Sequence, residues 1–120
     1  MNVGEVGIQG EKRVAHFLRQ RGFNVIKRNY QCRFGEIDII AENGEYILFV
    51  EVKTRKQNAL ISGVEAVDSH KQSRITLSAQ DYISKTLCEK QPRFDVAEVT
   101  VCEKSDGSVG YSLKYIENAF

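Results

Sequence analysis

The dipeptide Asn43-Gly44 lies between two apolar runs, Gly35-Glu36-Ile37-Asp38-Ile39-Ile40 and Phe49-Val50-Glu51-Val52-Lys53-Thr54. Asn-Gly between runs rich in β-branched and aromatic residues is the strongest short-range signal for a two-residue β-hairpin. Such a hairpin decides which residues share a face. A turn at 43–44 sets Glu36 opposite Glu51 and Asp38 opposite Phe49. Opposed residues share a face and side chains alternate along each strand, so Glu36, Asp38, Glu51 and Lys53 project together. Asp38 and Glu51 become diagonal neighbours with Cβ atoms roughly 7–8 Å apart. The same face carries Ile40, Ile47 and Phe49, and the other Ile37, Ile39, Leu48, Val50 and Val52. Both faces are apolar near the turn, which predicts a hairpin covered on both sides. Carboxylates gathered at one end of a covered hairpin are costly unless something compensates their charge. The grouping therefore points to a site.

The flanking segments predict the rest of an α/β sandwich. Residues 5–21 read as a helix, with Glu11, Val14, Ala15 and Leu18 in line and Gly22 as the stop. Glu11 thus faces the body of the protein. Phe23 to Asn29 reads as a short strand, and Arg55–Gly63 as a polar loop. A second helix follows from Val64 to Leu87, its inward stripe formed by Val67, Lys71, Ile75, Ser78, Ala79, Tyr82 and Ile83. Arg93–Cys102 reads as a strand whose phase changes near Ala97-Glu98, from a bulge or from burial on both sides. Asp106-Gly107 turns the chain into a last strand, Val109–Ile116. Helix, three strands, helix, two strands implies one domain over residues 1–120, with a mixed five-stranded sheet flanked by two main helices.

Composition narrows the functional classes. A chain of 120 residues can bury a single core. A net charge of +1 gives no bulk attraction for a polyanion, so any such surface must be local. No apolar run approaches the ~20 residues that span a bilayer, and residues 1–5 lack the basic and apolar regions of a signal peptide. Cys32, Cys88 and Cys102 are odd in number and without metal-ligand spacing, which reads as reduced, mostly core thiols in a cytoplasmic protein.

Asp38 and Glu51 can hold one hard divalent cation, with the carbonyl oxygen of Val52 as a third donor and water completing the shell. Such an ion polarises a phosphate and lowers the pKa of bound water. Lys53, two residues beyond Glu51, can orient that water or stabilise charge on the phosphorane. Glu36, beside Gly35, is expected to turn outward toward Arg33 or Arg55. Arg28, Arg33, Arg55, Lys56, Lys71 and Arg74 would form a positive rim around the acids and contact phosphates. Tyr30, Gln31 and Phe34 lie close enough to stack on bases, though Tyr30 and Phe34 are better read as core.

Gly10-Glu11, Arg28-Asn29, Gly35–Ile40, Phe49–Arg55, Glu65-Ala66-Val67 with Lys71, and Arg93-Phe94-Asp95-Val96 together resemble the YraN-like family of small bacterial proteins. That family resembles the PD-(D/E)XK nucleases, with archaeal Holliday-junction resolvases among its near relatives. The resemblance implies a restriction-endonuclease-like fold and a Mg²⁺- or Mn²⁺-dependent endonuclease acting on DNA, including branched or structured DNA. It carries metal-ligand roles onto Asp38 and Glu51, a catalytic role onto Lys53, and a supporting acidic role at the metal onto Glu11. It also implies a homodimer, as symmetric cutting of two strands requires. The rival expectation is a non-catalytic nucleic-acid-binding or assembly module on the same fold.

Overall fold

The computed structural model describes residues 3–57 and 67–120 and, from residue 7 onward, their side chains. Helix α1 (Val3–Gln20) leads into three antiparallel strands, β1 (Asn24–Cys32), β2 (Gly35–Glu42) and β3 (Tyr46–Lys56). Helix α2 (Ser69–Thr86) then carries the chain to β4 (Gln91–Glu103), which pairs parallel to β3, and β5 (Val109–Ile116) returns antiparallel. The sheet order is β1-β2-β3-β4-β5. This is the mixed five-stranded α/β sandwich expected of a restriction-endonuclease-like fold.

Each helix covers one face. Val14, Ala15 and Leu18 of α1 pack on Ile39, Ala41, Leu48, Val50, Ala97 and Val99. Ala79 and Tyr82 of α2 pack on Ile37, Ile40, Ile47 and Phe49. The centres of the predicted stripes are buried, Val14, Ala15 and Leu18 in α1 and Ile75, Ser78, Ala79 and Tyr82 in α2, because 3.6-residue periodicity leaves each helix a single apolar side. Val67 precedes α2, and Glu11, Lys71 and Ile83 are half-buried. At Gly10, α1 comes so close to β3 that an added Cβ would lie 2.1 Å from the Thr54 hydroxyl oxygen. β4 is buried on both faces from Asp95 to Val99, and its pairing with β3 and β5 runs without a shift. The phase change at Ala97-Glu98 is therefore two-sided burial and not a bulge.

Several local expectations are corrected. The hairpin is closed by Glu42 opposite Ile47, with Ile39 opposite Val50, so Glu36 does not face Glu51 and Asp38 does not face Phe49. The cause is the Asn43 side chain, whose Oδ1 accepts the N–H groups of Glu45 (2.9 Å) and Tyr46 (2.7 Å) and widens the turn. The slip is an even number of residues, so faces are conserved in β3. β1 runs past Asn29 to Cys32, turning back through Arg33-Phe34, with an extra residue between Val25 and Lys27. Arg55 and Lys56 belong to β3 and not to a loop. α2 begins at Ser69, capped by the Asp68 side chain, and the expected start at Val64 lies outside the described residues.

One irregularity in the sheet shapes the region around Asp38. Arg28 pairs with Ile39 and Tyr30 with Ile37, but between them Asn29 (φ 53°) and Asp38 leave the ladder. Ile37 packs on the α2 side and Ile39 on the α1 side, so alternation fails at Asp38 and the expected grouping of Ile37 with Ile39 is wrong.

Candidate functional site

Asp38 sits where the sheet changes face. Its Oδ2 accepts the backbone N–H of Val52 at 2.8 Å, standing in for the carbonyl that a regular ladder would offer. The β2–β3 pairing ends at Ile39 and Val50, so the strands part just where Asp38 and Glu51 lie. A cleft of about 610 Å³ opens there, lined by Glu36, Asp38 and Glu51 from the sheet and by His70, Lys71 and Arg74 from α2.

Its electrostatics are those of crowded acids answered by two lysines. Burial, then the charge of Glu51, push the Asp38 carboxyl up to about 7 against the pull of the Val52 N–H, with Glu11 adding to the rise. Glu51, whose side chain is 8% exposed, receives Lys71 Nζ at 2.6 Å and Lys53 Nζ at 3.4 Å on the same oxygen, Oε1. Burial and the neighbouring Lys71 push the Lys53 ammonium below the ordinary lysine value, against Glu51. Burial is the largest influence on the Lys71 ammonium and lowers it, but the hydrogen bonds to Glu51 and Lys53 and the charges of Glu51 and Asp38 together outweigh this and raise it. Glu11 faces inward as expected, its side chain 16% exposed and 3.7 Å from Arg28.

The predicted rim divides. Lys71 is inside the site, not on its edge. Arg74 lines the cleft while its Nε donates to the Phe34 carbonyl at 3.3 Å. Arg28 is paired with Glu11 and Arg55 with Glu98, Arg33 lies over the Phe34 ring, and Lys56 is exposed at the end of β3. Glu36 turns to Gln31 (3.3 Å), not to Arg33 or Arg55. Tyr30 is tied to Asp81 at 2.6 Å and meets Tyr82 edge-on, so it packs between β1 and α2. The three cysteines are free and half-buried, with Cys32 on the cleft wall. His70 escaped the sequence reading, although its place between the cap Asp68 and Lys71 was the signal for it. Asp95 lies in the Arg93–Val96 motif, but nothing in that motif signals its role; it is buried and receives Arg93, Tyr115 Oη (2.6 Å) and the Asn118 N–H (3.1 Å).

The donor set suits a hydrated hard cation. Two carboxylates on parting strands supply oxygen, and a cation is already drawn to one of them in the form of the Lys71 ammonium. Among the described residues no three acidic, histidine or cysteine side chains converge closely enough to hold an ion by themselves. Asp38 and Glu51 would hold it, with the Val52 carbonyl and water completing the shell.

The model of the uncharacterised protein family UPF0102 matches residues 10–99. The UPF0102 protein of Clostridium acetobutylicum is 43% identical over 117 residues, covering 97% of this chain and 93% of its own. That of Dictyoglomus turgidum is 44% identical over 121 residues and the full length of both chains. That of Caldanaerobacter subterraneus is 45% identical over 100 residues, 82% of each. The chain belongs to this family, which is the YraN family of the motif resemblance.

Proposed function

We propose that this member of the UPF0102 family is a divalent-metal-dependent nuclease that hydrolyses phosphodiester bonds in DNA, with branched or otherwise structured DNA as its substrate. The observation that supports it best is the convergence of Asp38, Glu51, Lys53 and Lys71 at the open end of the β2–β3 hairpin. Asp38 and Glu51 hold the metal, Mg²⁺ or Mn²⁺, and Glu11 adds negative charge from α1. A bound divalent ion supplies Lewis acidity toward the phosphate and a more acidic water. Lys53 is held beside Glu51 at 3.4 Å, from where its ammonium can meet charge developing on the phosphate. Arg74, His70 and the exposed Lys56 offer further donors to a phosphate backbone. Cutting both strands of a symmetric substrate calls for two copies of the chain.

The purified protein is expected to cut a panel of structured DNAs only with added Mg²⁺ or Mn²⁺. Asp38→Asn or Lys53→Ala should lower cleavage by about 10²-fold or more without unfolding the protein. Cleavage that survives both substitutions would remove the proposal. A non-catalytic nucleic-acid-binding module is the second reading, favoured by the lack of a three-ligand cluster among the described residues. Its DNA affinity would be indifferent to metal and to Asp38→Ala, and would fall with salt by counterion release.

A further inference from the structure

We propose that Lys71 is a displaceable counter-ion, holding Glu51 in the metal-free protein and passing to the phosphodiester when a divalent cation takes that carboxylate. The inference rests on the metal-dependent reading above and assigns Lys71 a role in loading the site. Two ammonium groups share Glu51 Oε1, and the nearer one comes from the other side of the cleft. Lys53 is carried by the same strand as Glu51, so it remains beside the acid whatever else binds there. Lys71 reaches across from α2, and its side chain is 38% exposed against 27% for Lys53. It is the one free to leave.

A nearly buried carboxylate without a partner is expensive, so the metal-free protein needs a cation on Glu51. An ammonium and a divalent ion repel each other and compete for the same oxygen lone pairs. The backbone of Lys71 is fixed, because its N–H donates to the cap Asp68 at 2.9 Å. Release therefore moves only the side chain, and the freed ammonium stays on the α2 wall of the cleft, which His70 and Arg74 also line. A phosphate lying over the acids passes within reach of that position. Metal loading thus converts an internal ion pair into a substrate contact, making DNA binding conditional on metal.

The proposal predicts opposite signs for two affinities. In calorimetry with Mn²⁺, Lys71→Met should bind the ion about fivefold more tightly than the native protein, the scale of a partly exposed ion pair. Lys71→Arg keeps the charge and pairs with a carboxylate through a fork, so its Mn²⁺ affinity should equal or fall below the native value. With a labelled four-way DNA junction in Ca²⁺, Lys71→Met should bind more weakly, and its log–log salt slope should shrink by about one phosphate contact. Without metal, the two proteins should bind the junction alike. Equal or weaker Mn²⁺ binding by Lys71→Met, with binding still abolished by Asp38→Asn, overturns the counter-ion role and leaves the metal site standing. Failure of native protein and Lys71→Met alike to bind Mn²⁺ overturns both.

Discussion

Asp38 serves the sheet and the cleft with one side chain. Its Oδ2 completes the hydrogen bonding of Val52 while burial and Glu51 oppose its ionisation. A carboxyl whose pKa rises from 3.8 to about 7 on folding keeps a proton that the unfolded chain releases. Its contribution to stability is fully present below the unfolded value and is lost as pH rises through about 7. In chelator, Asp38→Asn should therefore remove a decline in melting temperature between pH 4 and 7, leaving the variant relatively more stable at pH 8. An unchanged pH profile in that variant would show that another group sets it. Asparagine keeps an oxygen for the Val52 N–H and alanine does not, so Asp38→Ala measures the sheet as well as the site. The acid was legible in the sequence because face parity survives an even slip in register. Its ladder role was not, since no local signal separates a carboxylate that binds an ion from one that mimics a carbonyl.

At the scale of elements, helix periodicity and turn residues located most of the architecture, and the side chains that bridge elements were the part left hidden. The inward stripe of α2 placed Lys71 correctly, yet its pairing with Glu51 depends on the distance between α2 and β3, which no spacing within either segment reveals. The end of β1 was hidden by Asn29, which reads as a breaker and is in fact a left-handed residue within the strand. Gly10 has a similar between-element meaning. It is small because α1 rests directly on Thr54, and the next residue is Glu11. Gly10→Ala should push α1 off β3 and cost about 1–3 kcal/mol in urea unfolding, although alanine favours helix. A neutral or stabilising result would mean that Thr54 yields easily and that the contact does not set the helix position.

The whole molecule presents one cleft wall from the sheet and one from α2, and no helix among the described residues is long and apolar enough to cross a membrane. With a net charge of only +1, the proposed binding of DNA would depend on local cations and on the second copy that symmetric cutting calls for. Sedimentation velocity should show a homodimer at micromolar concentration, or one formed on a four-way junction. Monomers under both conditions would exclude symmetric cutting and favour a single-strand or flap substrate. The α2 wall is also supported from far along the chain. Val67 and Ile75 pack with Val96, and Phe120 and Ala119 close over that group. Phe120 stacks on Phe94, while Asp95 beneath receives Arg93, Tyr115 and the Asn118 N–H. During synthesis, Asp38, Glu51 and Lys71 thus leave the ribosome well before the residues that brace the helix above them. A nascent chain can form its hairpin early, but it cannot hold a finished cleft until the segment around Phe120 has emerged.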